Sequence, residues 1–145
     1  MAQCYIPGPP QGKARARTFY NPRLGRVQSI TPEKTVLYEN LIKTCWIEQT
    51  GGTRFPDGAV LAATIVAYFE IPKSAPKKDV PDMRAGRIRP TKKPDMDNII
   101  KTVLDALNGI AYRDDSQITA VVAVKVYTER KDNEPHVTLI IEEST

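Results

Sequence analysis

Two stretches of the chain carry apolar residues at three- and four-residue spacing, and several others carry them at every second position. Leu37, Tyr38, Leu41, Ile42, Cys45 and Trp46 form one stripe of the first kind, which predicts an amphipathic helix of about 18 residues. Thr31-Pro32 supplies its start, with Thr as N-cap and Pro where a missing N–H costs nothing. Thr50-Gly51-Gly52 supplies its end. The second stripe is Met96, Ile99, Ile100, Val103, Leu104, Leu107 and Ile110, beginning around Asp95 to Asp97 and stopped by Asn108-Gly109.

Residues 59 to 71 are short, apolar and rich in β-branched and aromatic types, so they predict a strand buried on both faces. Leu61, Ala63, Ile65, Ala67 and Phe69 would share one face. Alternation in Val122, Val124, Val126 and in Val137, Leu139, Ile141 predicts an antiparallel hairpin of residues 117 to 128 and 135 to 142, turning at Lys131-Asp132-Asn133. The opening, Cys4-Tyr5-Ile6, reads as a short strand that runs into a proline- and glycine-rich loop. Pro7, Pro9, Pro10, Pro22, Gly8, Gly12 and Gly25 are expected to keep residues 7 to 28 irregular. Residues 72 to 94 hold five prolines and Gly86. Such a loop is expected to move without ligand, and its length implies a task. The order is β-loop-α-β-loop-α-β-β, an α+β class with a small mixed or antiparallel sheet and two main helices packed on it, in one domain spanning residues 1–145.

Composition adds direction rather than identity. The chain has 145 residues, a net charge of +4 and 26% charged residues, an ordinary soluble balance. No apolar run approaches the roughly 20 residues of a membrane span. Met1 to Pro10 lacks the basic start and apolar stretch of a signal peptide, so the expected setting is the cytoplasm. Eight Lys or Arg residues lie between Lys73 and Lys93 against two Asp, and five lie between Lys13 and Arg26 with no acid. Acids gather instead between Asp95 and Asp115. Cys4 and Cys45 make neither a disulfide framework nor a zinc site, and their apolar neighbours predict buried thiols. The single histidine, His136, opens an apolar strand and is expected to be structural; one histidine excludes His-rich zinc chemistry.

The chemistry concentrates in Asp95-Met96-Asp97-Asn98-Ile99-Ile100-Lys101, followed by Asp105 and Arg113-Asp114-Asp115-Ser116-Gln117. Asp95 and Asp97 stand at a helix start, where the positive end of the dipole favours negative charge. Lys101 lies one turn after Asp97 on the same side. Chain from Gly109 to Asp115 can reach about 20 Å, against about 18 Å for the helix, so a return of Asp115 to the Asp95–Asp97 end is possible. Three carboxylates brought together would need a divalent cation, and oxygen-only ligands select Mg²⁺, with Mn²⁺ as a substitute, over zinc. Spacing alone equally allows a plain helix cap at Asp95 with an Asp97–Lys101 surface pair. An EF-hand calcium loop is excluded, because Ile100 and Ala106 stand where Gly and Glu are required.

Pro94-Asp-Met-Asp-Asn-Ile-Ile-Lys-Thr-Val-Leu-Asp-Ala-Leu-Asn108 with Asp114-Asp-Ser-Gln-Ile118 resembles the signature of the RusA family of Holliday-junction resolvases, commonly encoded by phages and prophages. Ile6-Pro-Gly-Pro-Pro-Gln-Gly-Lys-Ala-Arg-Ala-Arg17 resembles that family's proline-rich opening and its following basic residues. The resemblance implies that Asp95, Asp97 and Asp115 bind metal and that Lys101 is the catalytic lysine. Asn98, Asp114 and Gln117 would support them, and Asp105 would have a local structural role. It further implies a Mg²⁺-dependent endodeoxyribonuclease in which activated water attacks the phosphodiester. As a homodimer it would nick branched DNA symmetrically, in recombination and repair. One departure is the basic loop from Lys73 to Lys93, longer than expected for the family.

On that reading the basic segments follow phosphates: Lys13, Arg15 and Arg17 on one side, and Arg84, Arg87, Arg89, Lys92 and Lys93 leading into the acids. Phe19 or Tyr20 could stack on an unpaired base at the crossover. A non-catalytic dimeric DNA-binding protein on the same fold is the alternative. A metal-dependent enzyme for small phosphate esters is a third reading, which the basic flanks disfavour.

Overall fold

The computed structural model describes residues 1–14, 16–129 and 132–144. In chain order its elements are β1 (Ala2–Pro7), β2 (Arg17–Asn21), β3 (Arg26–Ile30), α1 (Glu33–Thr50), β4 (Leu61–Phe69), α2 (Val80–Arg84), α3 (Met96–Ala106), β5 (Ile118–Tyr127) and β6 (His136–Glu143). Four strands form a mixed sheet in the order β1-β6-β4-β5, and β2 and β3 form a separate ribbon. The class is α+β, with a mixed sheet and helices. Among the described residues no helix is long and apolar enough to cross a membrane.

Strand β4 organises the sheet. Leu61, Ala63, Ile65, Ala67 and Phe69 are all buried while the residues between them are half-buried, so one face is core and the other only partly covered. This corrects the expectation of burial on both faces. β4 also lies between the two strands expected to form a hairpin. It pairs parallel with β5 and antiparallel with β6, so β5 and β6 are not neighbours. The strand most regularly apolar takes the centre, where both edges are paired. β5 goes to the edge, with Val122 64% exposed, and the local preference of consecutive strands to pair is overridden. Of the expected turn, Lys131 lies outside the described residues. Asn133 there has a positive φ of 57° and clasps the end of β4, accepting from Ile71 N–H at 2.9 Å and donating to Ile71 C=O at 3.0 Å.

Helix α1 packs Tyr38, Ile42, Cys45 and Trp46 into the core, and α3 packs Ile99, Val103, Leu104 and Ala106 there. Inward residues of the sheet meet them: Cys4 and Ile6 from β1, and Val137, Leu139 and Ile141 from β6. The indole N–H of fully buried Trp46 donates to Thr53 C=O at 2.8 Å, which removes the cost of burying it. Leu37, expected in the α1 stripe, is 61% exposed. The N-cap is Pro32 rather than Thr31, and the left-handed Gly51 ends the helix as expected. Both cysteines are free and buried, and burial pushes the Cys4 thiol up to about 12. His136 is buried in the sheet, stacked on Tyr5 and Tyr68.

One segment expected to be irregular forms two strands, and the other holds one short helix. Residues 17 to 30 form the β2–β3 ribbon, in register from Arg17 opposite Ile30 to Asn21 opposite Arg26. Pro22 and Gly25, expected to break regular structure, serve the turn between these strands: Gly25 has φ 64°, and Asn21 Oδ1 accepts the Arg23 N–H at 3.0 Å. In the 72–94 segment, α2 buries Met83. Lys125 of β5 holds the end of that segment by donating to Lys92 C=O at 2.6 Å and Pro94 C=O at 3.0 Å.

Candidate active site

Helix α3 buries one face in the core and leaves Asp97, Lys101 and Asp105 on the other, four residues apart and so on one side. Asp95 is the extended N-cap residue, and its carbonyl accepts the Ile99 N–H at 3.1 Å. Its carboxylate makes no capping bond. Asp95, Asp97, Asn98 and Lys101 line an open cleft of about 530 Å³ with Lys13, Ala14 and Ala16 from the N-terminal loop. Among the described residues, neither carboxylate nor the Lys101 ammonium has a hydrogen-bond or ion-pair partner. The bland reading of a helix cap with an Asp97–Lys101 surface pair therefore describes neither end of that motif.

Asp115 lies beyond the helix, at the start of the short turn Asp115–Gln117. Its N–H donates to Asn108 Oδ1 at 2.8 Å, which ties it to the C-terminal end of α3. There it faces Asp105: a hydrogen bond between the two carboxyl groups, followed by burial and the charges of Asp105 and Asp114, raises the Asp115 pKa above its ordinary value. Lys13 approaches the same pair, 3.1 Å from Asp105 Oδ2 and 4.0 Å from Glu39 Oε1. The structure thus brings Asp95, Asp97 and Lys101 together and pairs Asp115 with Asp105. Among the described residues no three His, Cys, Asp or Glu side chains gather closely enough to share an ion.

The residues expected to support the carboxylates have separate tasks. Asp114 caps the short turn Asp115–Gln117 by accepting the Ser116 N–H at 3.2 Å, and hydrogen bonds from Ser116 lower its pKa. Gln117 accepts the N–H groups of Arg113 and Asp114 and donates to Pro56 C=O and Ala59 C=O, each at 3.1 Å. It ties the Asp115 turn to the loop before β4. Asn98 packs against Gly12, where an added Cβ would meet Asn98 Cβ and Pro94 Cβ at 3.1 Å. A side chain at Gly12 would press on this close approach, which seats the N-terminal loop on the first turn of α3.

Sequence reasoning missed Gly12 in that role, and it missed Asp105 as the neighbour of Asp115. It also missed Lys125, whose signal was available. Val121, Ala123, Lys125 and Tyr127 of β5 lie opposite Ala63, Ile65, Ala67 and Phe69, and half-buried Lys125 is the one charged residue in that row. Lys125 holds the two carbonyls just before Asp95 and places its ammonium 5.1 Å from the Phe69 ring centroid.

The residues expected to bind DNA are dispersed. Lys13 is in the cleft, Arg15 lies outside the described residues, and Arg17 is exposed on β2. Arg84 and Arg89 line a recess of about 250 Å³ with Tyr68 and Val126 on the far side of the sheet. Arg87 pairs with Asp82 at 2.8 Å, and Arg89 Nε donates to Gly86 C=O at 3.1 Å. Lys92 stands 5.8 Å from the centre of the Phe69 ring, and exposed Lys93 adjoins Pro94 beside the loop at Gly12.

Every ionisable ligand atom in the cleft is a carboxylate oxygen, which suits a hard divalent cation. Mg²⁺ takes few protein carboxylates and completes its shell with water and phosphate oxygens. Donor chemistry at Asp95 and Asp97 fits such an ion.

A family model described as endodeoxyribonuclease RusA matches residues 7–142. A curated relative, the uncharacterized protein YqaN of Bacillus subtilis (strain 168), is 42% identical over 81 residues, covering 54% of each chain. The match thus spans about half the length of that relative. The family match takes in both ends of helix α3, the N-terminal loop and the whole sheet from Pro7 onward, and the chain belongs to the RusA endodeoxyribonuclease family.

Proposed function

We propose that the protein is a divalent-metal-dependent endodeoxyribonuclease that resolves Holliday junctions by paired symmetric nicks, acting as a homodimer on four-way DNA. The observation that carries this reading is the cleft at the start of α3, where two carboxylates and an ammonium have no partner among the described residues. All three residues are exposed, so a ligand can reach them without displacing an internal partner. Fixing three at one helix end, beside a loop packed on it through Gly12, prepares a place for a phosphate and its cation.

Asp95 and Asp97 would hold Mg²⁺, with Mn²⁺ as a substitute, while Asp115, expected from the sequence to join them, is tied beside Asp105. A cation there would lower the pKa of water and offset charge on the phosphate. Lys101, one turn from Asp97 and lining the same cleft, would bind a non-bridging oxygen of the scissile phosphate and stabilise charge that builds up as the bond breaks. Asp105 and Asp115 face each other closely enough to raise the Asp115 pKa, and a cation near them would relieve that repulsion. Lys125 keeps the backbone before Asp95 in place. Arg17, Arg84, Arg89, Lys92 and Lys93 would supply phosphate contacts that give affinity without sequence preference.

The test is cleavage of a synthetic four-way junction and its matching linear duplex, each with Mg²⁺ and with EDTA. Paired nicks in the junction alone, and only with metal, are expected. Tight junction binding without cutting under any divalent cation would replace this reading by the non-catalytic DNA-binding one.

A further inference from the structure

We propose that the β2–β3 ribbon is a DNA arm that enters the branch point, with Tyr20 and Val27 contacting an unpaired base and Arg17 and Arg26 holding the flanking phosphates. The inference rests on the junction reading above and names the element that would distinguish branched from linear DNA. Its first support is exposure. No residue from 16 to 31 is buried, and the two strands pair only with each other. Yet Phe19, Tyr20, Leu24, Val27 and Ile30 are 40 to 66% exposed. A two-stranded ribbon is at best marginally stable in water, and exposed apolar side chains on both of its faces leave it surface to bury against a partner.

The pleat divides the ribbon into unlike faces. Arg17 opposite Ile30, Phe19 opposite Gln28 and Asn21 opposite Arg26 share one face; Thr18 opposite Ser29 and Tyr20 opposite Val27 share the other. Both strand arginines are on the first face and none is on the second. The tip is fixed by the Asn21 carbonyl, which accepts the N–H of Leu24 at 3.2 Å and of Gly25 at 2.9 Å, and by the Asn21–Gln28 side-chain bond at 3.0 Å. The arm is therefore a defined shape rather than a free strand.

Charge and position select the partner. From Lys13 to Arg26 the chain has five basic residues and no acid, so an arm-to-arm contact with a second copy would set like charges together. A polyanion suits the arginine face. Duplex DNA offers nothing to the Tyr20–Val27 face, because its bases are already stacked, whereas a base exposed where strands exchange can stack on an aromatic ring. Ala14 and Ala16, at the root of β2, line the same cleft as Asp95, Asp97 and Lys101. DNA whose phosphate sits in that cleft therefore meets the base of the arm.

The experiment measures affinity for a four-way junction and for linear duplex, in EDTA, across a salt series. Tyr20→Ser with Val27→Thr is expected to weaken junction binding about 5- to 150-fold, the range for losing one stacked base, and to leave duplex binding unchanged. Arg17→Gln with Arg26→Gln is expected to weaken both and to lower the slope of log affinity against log salt by about 2. Sedimentation of each variant shows whether its assembly has changed. Tyr20→Ser with Val27→Thr that dissociates wild-type oligomers while keeping the wild-type junction-to-duplex ratio would make the arm a protein contact and overturn the proposal. Loss of affinity for both DNAs alike would also overturn it. Cleavage run in parallel separates the two readings: a wild-type protein that never cuts junctions removes the resolvase reading, whereas one that cuts while the double variant keeps its preference removes only the arm.

Discussion

The two ends of helix α3 carry similar side chains and treat them differently. At the start, Asp95, Asp97 and Lys101 face an open cleft with no partner among the described residues. At the other end, Asp105 is 3.1 Å from the Lys13 ammonium, the Asp115 N–H is held by Asn108, and Asp114 caps a turn. One end leaves its charge available; the other spends most of it inside the fold. The difference separates acids that can serve a ligand from acids that position the chain, a distinction that residue type cannot make.

The comparison breaks most readily at Asp97. Asp97→Asn should lower junction cleavage by about 10²–10³-fold, the scale for removing one charge-stabilising group from a prepared site, while junction binding and thermal stability stay near wild type. Because Asp97 has no partner among the described residues, a large stability loss would show that its carboxylate serves the fold instead. Next in size is Lys125→Met, which keeps an apolar stem and removes both donors to Lys92 and Pro94 C=O. A drop in kcat of about 10–100-fold, typical for a group supporting ligands indirectly, should come with faster hydrogen exchange at residues 95 to 98. Lys125→Arg should restore part of both. Unchanged exchange would mean that Lys125 does not hold the helix start.

A third test works at the opposite end and has the reverse sign for stability. Asp115 has a raised pKa because its carboxyl faces Asp105. A carboxyl that holds its proton more tightly when folded favours the fold at low pH, and that contribution is lost as pH rises through the folded value. At neutral pH in EDTA the pair therefore costs stability, and Asp115→Asn should raise the melting temperature, by an amount worth about 1 kcal/mol at most for such partly exposed groups. The gain should shrink as pH falls through the raised folded value toward the ordinary carboxylate range, and be gone below it. A lower melting temperature at neutral pH would show that the Asp105–Asp115 contact stabilises the fold.

Much of this was legible in the residues. Helical spacing placed α1 and α3, and the alternation of Leu61 to Phe69 placed the inner face of β4. Asp95, Asp97 and Lys101 were marked by a two- and four-residue spacing at a helix start. What failed was pairing, which depends on the whole sheet. Nothing local in Val122 to Val126 says that β4 will come between β5 and β6. The β2–β3 ribbon was hidden because Pro22 and Gly25 look like breakers when they are the turn of a hairpin. Reach alone allowed Asp115 to approach Asp97. The Asn108 amide, seven residues earlier, fixes it nearer Asp105, and such a side-chain tether has no periodic signature.

The smallest effect concerns Lys13, which sequence reasoning assigned to DNA. Its ammonium lies 3.1 Å from Asp105 and 4.0 Å from Glu39, and its side chain is about one-third exposed, at 31%. In this position it links the N-terminal loop to α1 and α3 across the wall of the cleft. Lys13→Met and Asp105→Asn should each cost little, and their double-mutant cycle should return a coupling of a few tenths of a kcal/mol. Lys13→Met should also leave the salt slope of junction binding almost unchanged, whereas loss of one phosphate contact lowers it by about 0.9. A slope change of that size, with no coupling to Asp105, would move Lys13 from the paired end of the helix to the ligand-facing one. An unchanged slope with measurable coupling would instead show that the cleft's wall is held by an internal cation, leaving Lys101 as the ammonium that faces the phosphate.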